Sequence, residues 1–244
     1  MTPPAPLSVA RTVVLALAVV AVVLVLASGP GTRAGLWSWQ TGIAMLRWAT
    51  YAGLAAGVGS LFALVALAIP AFRSRAWMPV ASLVLAAIAV TPPLMLLARA
   101  KQVPRIHDIS TDLADPPAFV ALLDARKASP NGAAHGGADV AEAQRTGYPD
   151  LKPLVVPATP AATMQKAIDA ARALGWEVAA VDAASGRVEA TDTTAWFGFK
   201  DDIIVRIRPE GTGSRVDVRS VSRVGLSDLG ANAARIRRFL GKLA

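Results

Sequence analysis

The 244-residue sequence contains no cysteine and only two histidines, His107 and His135. Without cysteine the chain forms no disulfide and offers no thiol nucleophile or thiolate metal ligand. The two histidines lie far apart, and neither has a second histidine nearby at the spacing of a metal site. Ser-His-Asp and phosphate-loop glycine patterns are also missing, so hydrolase and nucleotide-binding functions find no support. We predict no metal and no cofactor, and an enzymatic role is not favoured.

The first 107 residues contain no acidic side chain. All 17 Asp and Glu residues lie at or after Asp108. From Pro104 onward the chain holds 18 basic and 17 acidic residues, so this part is close to neutral. Most of the net charge of +8 therefore comes from basic residues that flank apolar segments, where they would meet lipid headgroups. Nucleic-acid binding, which needs a basic patch on the folded domain, is disfavoured.

Three long apolar runs predict transmembrane helices at residues 12–28, 48–71 and 77–98. The first run also fits a cleaved signal peptide, but the two runs after it favour an uncleaved helix. Small residues along the second run, Gly53 among them, predict close helix packing. Because no ionisable residue lies inside a run, we interpret the three spans as an anchor and not as a transport pathway.

Residues 1–103 are therefore predicted to form a membrane anchor, and residues 104–244 a soluble α+β domain. Within this domain, residues 128–147 have the Gly, Asn and Ser content of a flexible loop, with His135 as a solvated loop residue. A short helix is predicted over Ala118–Arg126, after a capping aspartate and two prolines.

Four strand patterns and two longer helices complete the predicted domain. One helix begins at Thr159-Pro160 and ends at Gly175, and the last runs from Asp228 to Leu243. The strand patterns cover residues 176–181, 188–194, 202–208 and 214–222. Leu154–Val156 is a candidate for a further short strand outside this set. We predict a two-layer fold in which helices cover a mainly antiparallel four-stranded sheet.

The second hairpin of this sheet specifies its own register. Pairing Arg206 with Asp217 places the apolar residues of both strands on one face, and a slip of one residue would scramble that face. The opposite face then carries the charged side chains Arg206, Arg208, Arg215, Asp217, Arg219 and Arg223.

The segment RIHDISTDLADPPAF, residues 105–119, is the first candidate site. A histidine beside a carboxylate, here His107 with Asp108, can act as a base or a ligand, and Asp112 adds a second acid. The same Asp, Ser and Thr residues also form tight turns through side-chain-to-backbone hydrogen bonds. We favour a structural junction close to the membrane and keep binding and catalysis as alternatives.

Two further groups of charged residues are candidates. Asp201 and Asp202, with Asp192 and Asp228, could hold Ca²⁺ through oxygen ligands, but they lack calcium-loop spacing, so ion pairing with arginines is favoured. Arg219 and Arg223 precede a helix start and offer an anion site unless they pair with carboxylates. The candidate binding residues are His107, Asp108, Asp112, Asp201, Asp202, Arg206, Arg219, Arg223 and Asp228.

Several long motifs resemble one bacterial protein family. They are RIHDISTDLADPPAF, then Tyr148-Pro149, then VEATDTTAWFGFKDDIIVRI and SRVDVRSVSRVGLSDLGANAARIRRFL, in this order within residues 104–243. Together they resemble the family known as domain of unknown function 1499. The resemblance implies no reaction, substrate, cofactor or functional residue. It does imply an exported domain, because similar domains occur as single lipoprotein-like chains and others follow a few membrane spans.

We therefore predict an integral protein of the bacterial inner membrane, with its N-terminus inside and its C-terminal domain in the periplasm. The lipid bilayer holds its anchor. The domain is predicted to be a non-enzymatic module that binds an envelope protein or an anionic ligand. Two alternatives stay open: an enzyme acting on envelope lipid or glycan, and an accessory subunit of a transporter.

Overall fold

The computed structural model describes residues 5–70, 73 and 75–244 of the chain. The chain divides into two compact units. The first comprises Met1–Ala98 with Trp196–Gly198, and the second comprises Arg99–Ala195 with Phe199–Ala244. A helical unit thus precedes a unit that contains a β-sheet.

Three long helices dominate the first unit. They are α1 (Ala5–Arg33), α2 (Trp39–Val65) and α3 (Trp77–Ala100), with a short 3-10 turn over Ala66–Ala68 after α2. Each is long and apolar enough to cross a membrane. This confirms the prediction of three helices that can span a bilayer before the sheet domain.

Helix α2 begins at Trp39, nine residues before the predicted span. Ser38 caps the helix, because its hydroxyl accepts a hydrogen bond from the Thr41 amide at 3.3 Å. The predicted span began only after Arg47, because a charged residue interrupts an apolar run but does not interrupt a helix. The predicted end of this span at Ala71 lies outside the described residues.

Small side chains let the helices of the first unit approach closely. Ala49, Ala56 and Ala89 are fully buried. A Cβ atom on Gly53 would lie 2.6 Å from Val90 Cγ2, so only glycine fits where α2 passes α3. The predicted small-residue face of the second span is thereby confirmed at Gly53.

The second unit contains an antiparallel sheet of six strands, so the prediction of four was wrong. The strands are β1 (Asp108–Ser110), β2 (Leu154–Val156), β3 (Glu177–Asp182), β4 (Arg187–Thr193), β5 (Lys200–Glu210) and β6 (Gly213–Ser222). Their order is β1-β6-β5-β4-β3, and β2 also pairs with β6. Strand β2 is the candidate short strand at Leu154–Val156, which joins the sheet. Strand β1 was not predicted, because its three residues are too few to show the alternation that predicts a strand.

The predicted register of the β5–β6 hairpin is confirmed, because Arg206 pairs with Asp217. The apolar face of both strands is buried under helices α6 (Pro160–Ala173) and α7 (Ala231–Leu240). Trp176 stacks on Phe239 there, with ring centroids 5.1 Å apart. This face is the hydrophobic core of the second unit.

Helix α5 (Gly137–Gly147) occupies much of the segment predicted to be a flexible loop, so that prediction was wrong from residue 137 onward. The helix is tied to the sheet by Gln144, whose buried side chain hydrogen-bonds the backbone of Ser110. His135, just before it, is half-buried and not solvated, and its Nδ1 accepts a hydrogen bond from the Gly137 amide at 3.2 Å. The segment has few large apolar residues, so it shows little helical periodicity.

The short helix α4 is Leu123–Lys127 and not Ala118–Arg126. Its expected first turn does not form, because residues 120–122 give their N–H groups to the side chain of Glu189. Those amides therefore point at the sheet before the helix begins.

Helix α7 begins at Ala231, three residues after the predicted start at Asp228. The Asp228 carboxylate accepts hydrogen bonds from the amides of Gly230 and Asn232, both at 2.8 Å. Asp228 thus satisfies amides of the incoming turn, a capping role, and stands outside the helix.

Candidate functional site

The sheet face opposite α6 and α7, which we call the polar face, carries the charged side chains. Because side chains alternate between faces along a strand, Arg187, Arg206 and Asp217 form one row across β4, β5 and β6. The next row consists of Glu189, Ile204 and Arg219.

Residues 111–122, between β1 and α4, cover part of the polar face, and we call them the covering segment. Its Phe119 is buried in one apolar cluster with Ile204 of the sheet. The Phe119 ring also contacts two guanidinium groups, with Arg126 Cζ at 5.6 Å and Arg219 Cζ at 5.4 Å from its centroid. Phe119 therefore packs the covering segment onto the polar face through an apolar contact with Ile204 and cation–π contacts with two arginines.

Arg219 and Asp108 form a buried, bidentate ion pair. Arg219 Nε and Nη2 donate to the two carboxylate oxygens of Asp108 at 2.9 and 2.8 Å. Arg219 also donates to the carbonyls of Pro117 and Ala133, both at 3.2 Å. His107 contributes its backbone carbonyl, which accepts from the Ser222 amide at 3.0 Å. Both oxygens of Asp108 are thus engaged by Arg219, an arrangement that supports a structural role for this pair.

Glu189 of β4 binds backbone amides of the covering segment. Its buried carboxylate accepts the amides of Val120 and Ala121 on Oε1, at 2.9 and 3.0 Å, and the amide of Leu122 on Oε2 at 2.9 Å. Arg187 Nε lies 3.1 Å from the same carboxylate. One side chain therefore satisfies three consecutive backbone donors, which fixes the path of the segment.

Asp202 is the centre of a second buried cluster. Arg223 binds it with two nitrogens at 2.8–3.2 Å, and Arg126 Nη1 lies 3.4 Å from Oδ2. The hydrogen bond to Asp202 raises the pKa of Arg223, whereas burial lowers the pKa of Arg126. The predicted pairing of Arg223 with an aspartate of β5 is found in this cluster.

Three guanidinium groups, of Arg206, Arg208 and Arg215, converge at the open end of the polar face, and we call them the arginine rim. Asp112 Oδ2 lies 2.9 Å from Arg215 Nη2, 3.2 Å from Arg206 Nη2 and 3.5 Å from Arg208 Nη2. Asp217 lies beside it and contacts the same three arginines at 2.7–3.0 Å. Two carboxylates thus bind three cations.

The two carboxylates are enclosed, while the arginine rim reaches solvent. Asp217 is buried and Asp112 nearly so, whereas 40% of the Arg208 side chain is exposed. Burial alone would raise the pKa of Asp112, but amide hydrogen bonds from Asp115 and Ala114 and the charges of Arg215 and Arg206 hold it below its ordinary value. Solvent therefore meets the outer edges of the guanidinium groups.

Asp115 is the exposed acid of this cluster. Its Oδ2 lies 2.9 Å from Arg206 Nη1 and 3.6 Å from Arg208 Nη1, and 68% of its side chain is exposed. Its backbone carbonyl separately accepts from Arg206 Nη2 at 2.8 Å. The side chain can therefore leave the two arginines while the backbone stays in place.

Asp201 lies on the opposite face, beneath α7. It binds Arg235 Nη2 at 2.6 Å, and the same arginine binds Asp192 at 2.8 Å. Burial raises the pKa of Asp228, the helix-capping residue. Within residues 5–70, 73 and 75–244 no three His, Asp or Glu side chains come together as metal ligands. The carboxylates considered for Ca²⁺ are therefore bound to an arginine or to backbone amides.

The structure separates the predicted candidates into several places. It brings Asp112 to Arg206, Asp202 to Arg223 and Asp108 to Arg219, all on the polar face. Asp201 and Asp228 do not join them. The predicted candidates omit Arg208 and Arg215, although the hairpin register had already placed both on the polar face, and they omit Glu189.

Most of the second unit matches a known protein family. A family model described as "Protein of unknown function (DUF1499)" matches residues 108–243, which run from β1 to just past α7. No curated protein matches the chain. The matched range contains the polar face, the covering segment and the arginine rim.

Proposed function

Because the chain belongs to the DUF1499 family, whose description names no activity, we propose a function from the geometry of the site. We propose that the protein is a membrane-anchored, non-enzymatic binding module that takes an anionic group at the arginine rim. The observation that carries this proposal is the convergence of Arg206, Arg208 and Arg215 on Asp112 and Asp217, with the carboxylates enclosed and the cations open.

The charge balance of the cluster supports an anion as the ligand. Three arginines contact two enclosed aspartates, which leaves one formal positive charge. The exposed Asp115 pairs with Arg206, and the charge of Glu210 also acts on Arg215. An exposed ion pair contributes about 0–1 kcal/mol, so an incoming phosphate or carboxylate can replace the Asp115 side chain at little cost. Arginine suits either group, because its planar fork binds two oxygens at once.

Asp115 also serves as a template for the ligand. Its carboxylate shows that an acidic oxygen fits against Nη1 of Arg206, and Arg208 Nη1 is the second donor nearby. A ligand oxygen in this position would keep the contacts of Asp112 and Asp217 intact. The fold of the covering segment would then be the same with and without ligand.

The location of the module is part of the proposal. We place the chain in a bacterial inner membrane with its C-terminal domain in the periplasm, where phosphate and carboxylate groups of envelope material supply the anion. The three candidate spans support a membrane location, and the exported domains that the sequence resemblance implies favour the periplasm. Reporter fusions after Ala244 test it, and a reporter that is active only in the cytoplasm would refute the periplasmic location.

The binding experiment uses the full chain in nanodiscs of zwitterionic lipid and pyrophosphate as the probe. We expect pyrophosphate to bind in isothermal titration at constant ionic strength, since salt screens such contacts. Arg208→Ala with Arg215→Ala should abolish binding, whereas Asp115→Ala should strengthen it because it removes the competing carboxylate. Arg172→Ala, at an exposed position of α6, is the matched control and should bind like the unaltered chain.

Two results would contradict the proposal. Equal affinity of the double variant and the Arg172→Ala control would show that the arginine rim is not the site. Weaker binding by Asp115→Ala would show that Asp115 helps to hold the anion and does not compete with it.

A further inference from the structure

Leu226 is the most exposed large apolar side chain in the described part of the second unit, with 65% of its surface accessible. It lies in the loop of residues 223–230, between β6 and α7. A single exposed leucine is ordinary by itself. Its position relative to the end of α3 gives it significance.

The 223–230 loop accepts a hydrogen bond from a residue in the last turn of a candidate span. Arg99 lies in the last turn of α3, and its Nε donates to the carbonyl of Leu229 at 2.7 Å. A Cβ atom on Gly230 would lie 3.3 Å from Val103 Cγ1 and 3.8 Å from Arg99 Nη2. The end of the loop, just before α7, therefore lies beside residues 99–103, which follow the span.

The length of α3 allows this contact to lie at the lipid surface. Helix α3 has 24 residues, which rise about 36 Å, while the hydrocarbon core is about 30 Å thick. When Trp77 lies at one interface, Arg99 lies in the headgroup layer of the other leaflet. Leu226 is three residues from Leu229, a separation of at most about 10 Å. Leu226 is thus within reach of the same layer.

The loop presents Leu226 in a fixed position. Asp228 binds the amides of Gly230 and Asn232, and its own amide donates to the Ile106 carbonyl at 3.1 Å. On the other side of Leu226, Asn131 Nδ2 donates to the Gly225 carbonyl at 2.9 Å. The side chain is held outward by bonds on both sides, so a membrane contact would order little that is not ordered already.

Basic side chains follow the end of the candidate span, and one of them, Arg99, contacts the loop. Arg99, Lys101 and Arg105 follow one another at the start of the second unit, and all three are exposed. Such residues beside a span attract anionic headgroups, and their long stems pass along apolar surface while the charge stays in water. An apolar tip next to basic residues is the pattern of an interfacial contact.

From these contacts we propose that the 223–230 loop docks on the lipid surface and that Leu226 enters the boundary between headgroups and acyl chains. The partner is the leaflet in which α3 ends. The docked loop gives the domain a second attachment to the bilayer besides the covalent one through α3. The proposal does not depend on the anion site.

A single-cysteine label tests this proposal, because the natural chain has no cysteine to compete for it. Leu226→Cys in the full chain is labelled with an environment-sensitive fluorophore and placed in nanodiscs. The matched control is Val155→Cys, since Val155 is 57% exposed and pairs with Arg215, at the other end of β6 from the 223–230 loop. Both substitutions replace exposed side chains, and thermal unfolding checks that both variants are folded.

We expect the label at position 226 to emit at shorter wavelength than the control. Lipids that carry a quencher near the headgroup should quench it, and the uncharged aqueous quencher acrylamide should quench it several-fold less than the label at position 155. Equal acrylamide quenching at both positions would overturn the proposal. A blue-shifted label that quencher lipids do not reach would also overturn it, because this result indicates contact with protein and not with lipid.

Discussion

The side-chain amide of Gln144 takes the place of a neighbouring strand for Ser110. The Ser110 amide donates to Gln144 Oε1 at 2.9 Å, and Gln144 Nε2 donates to the Ser110 carbonyl at 2.6 Å. On its other edge Ser110 pairs with Arg219 of β6. A three-residue strand is thus held on one side by the sheet and on the other by a single side chain of α5.

Gln144→Leu keeps the size of the side chain and removes both hydrogen bonds. The buried N–H and C=O of Ser110 then lack partners, so we expect the free energy for opening β1 to fall by about 2–4 kcal/mol. Native-state hydrogen exchange of the Thr111 amide, which bonds the Val218 carbonyl across the sheet, measures this opening. Gln165→Leu, at an exposed position of α6, should leave the exchange unchanged. Slow exchange of Thr111 in Gln144→Leu would contradict the expectation.

The buried pair of Arg219 and Asp108 should behave as one unit. Arg219→Met leaves the Asp108 carboxylate buried without a cation, which costs about 3–5 kcal/mol of stability. Asp108→Asn strands the guanidinium in the same way. Because the double variant buries no charge at this place, its loss should be smaller than the sum of the two single losses.

Urea unfolding followed by near-ultraviolet circular dichroism gives these losses. The control is Arg145→Met, since Arg145 forms an exposed pair with Glu142 and its replacement should change stability by less than about 0.5 kcal/mol. If the two single losses simply add in the double variant, Arg219 and Asp108 are not coupled.

Asp112 should make the arginine rim sensitive to acid. Its pKa in the folded chain is lower than the ordinary value of 3.8. Such a group adds stability above its unfolded pKa, and this contribution is lost as the pH falls through the folded pKa. Asp112→Asn should therefore flatten the fall in stability on acidification below about pH 4.

Asp228 provides a control of opposite sign. Burial raises its pKa, so its contribution is present below the unfolded pKa and is lost as the pH rises through the folded pKa. In Asp228→Asn that loss should vanish, and the variant should gain relative stability above about pH 4. Thermal unfolding from pH 2 to 7 compares both variants. Equal pH profiles for Asp112→Asn and the unaltered chain would refute the role given to Asp112.

The pairing of Arg206 with Asp217 could be predicted from the sequence because strands β5 and β6 are long and alternate cleanly. A slip of one residue would expose a whole apolar face, so pattern alone determines the register. The helix from Pro160 likewise has a capping threonine and an apolar period. Local signals were enough for these elements.

The remaining features depend on contacts between distant parts of the chain. Strand β1 needs β6 and Gln144, and the path of residues 120–122 needs Glu189, which lies 67–69 residues away. No local pattern contains such information. The register predicted which charged residues of β5 and β6 share the polar face, but the contacts of their arginines with Asp108, Asp112 and Asp115, in other parts of the chain, could not be predicted.

Strand β6 joins the two surfaces to which we assign binding. Arg215 lies near the start of this strand, and Ser222 at its other end leads into the 223–230 loop. Seven residues of strand separate the two ends by about 23 Å. Electrostatic influence decays over about 8 Å at physiological salt. The arginine rim and the 223–230 loop therefore lie at opposite ends of one strand, beyond the distance over which a charge at one end acts on the other, so each surface can bind its own ligand independently.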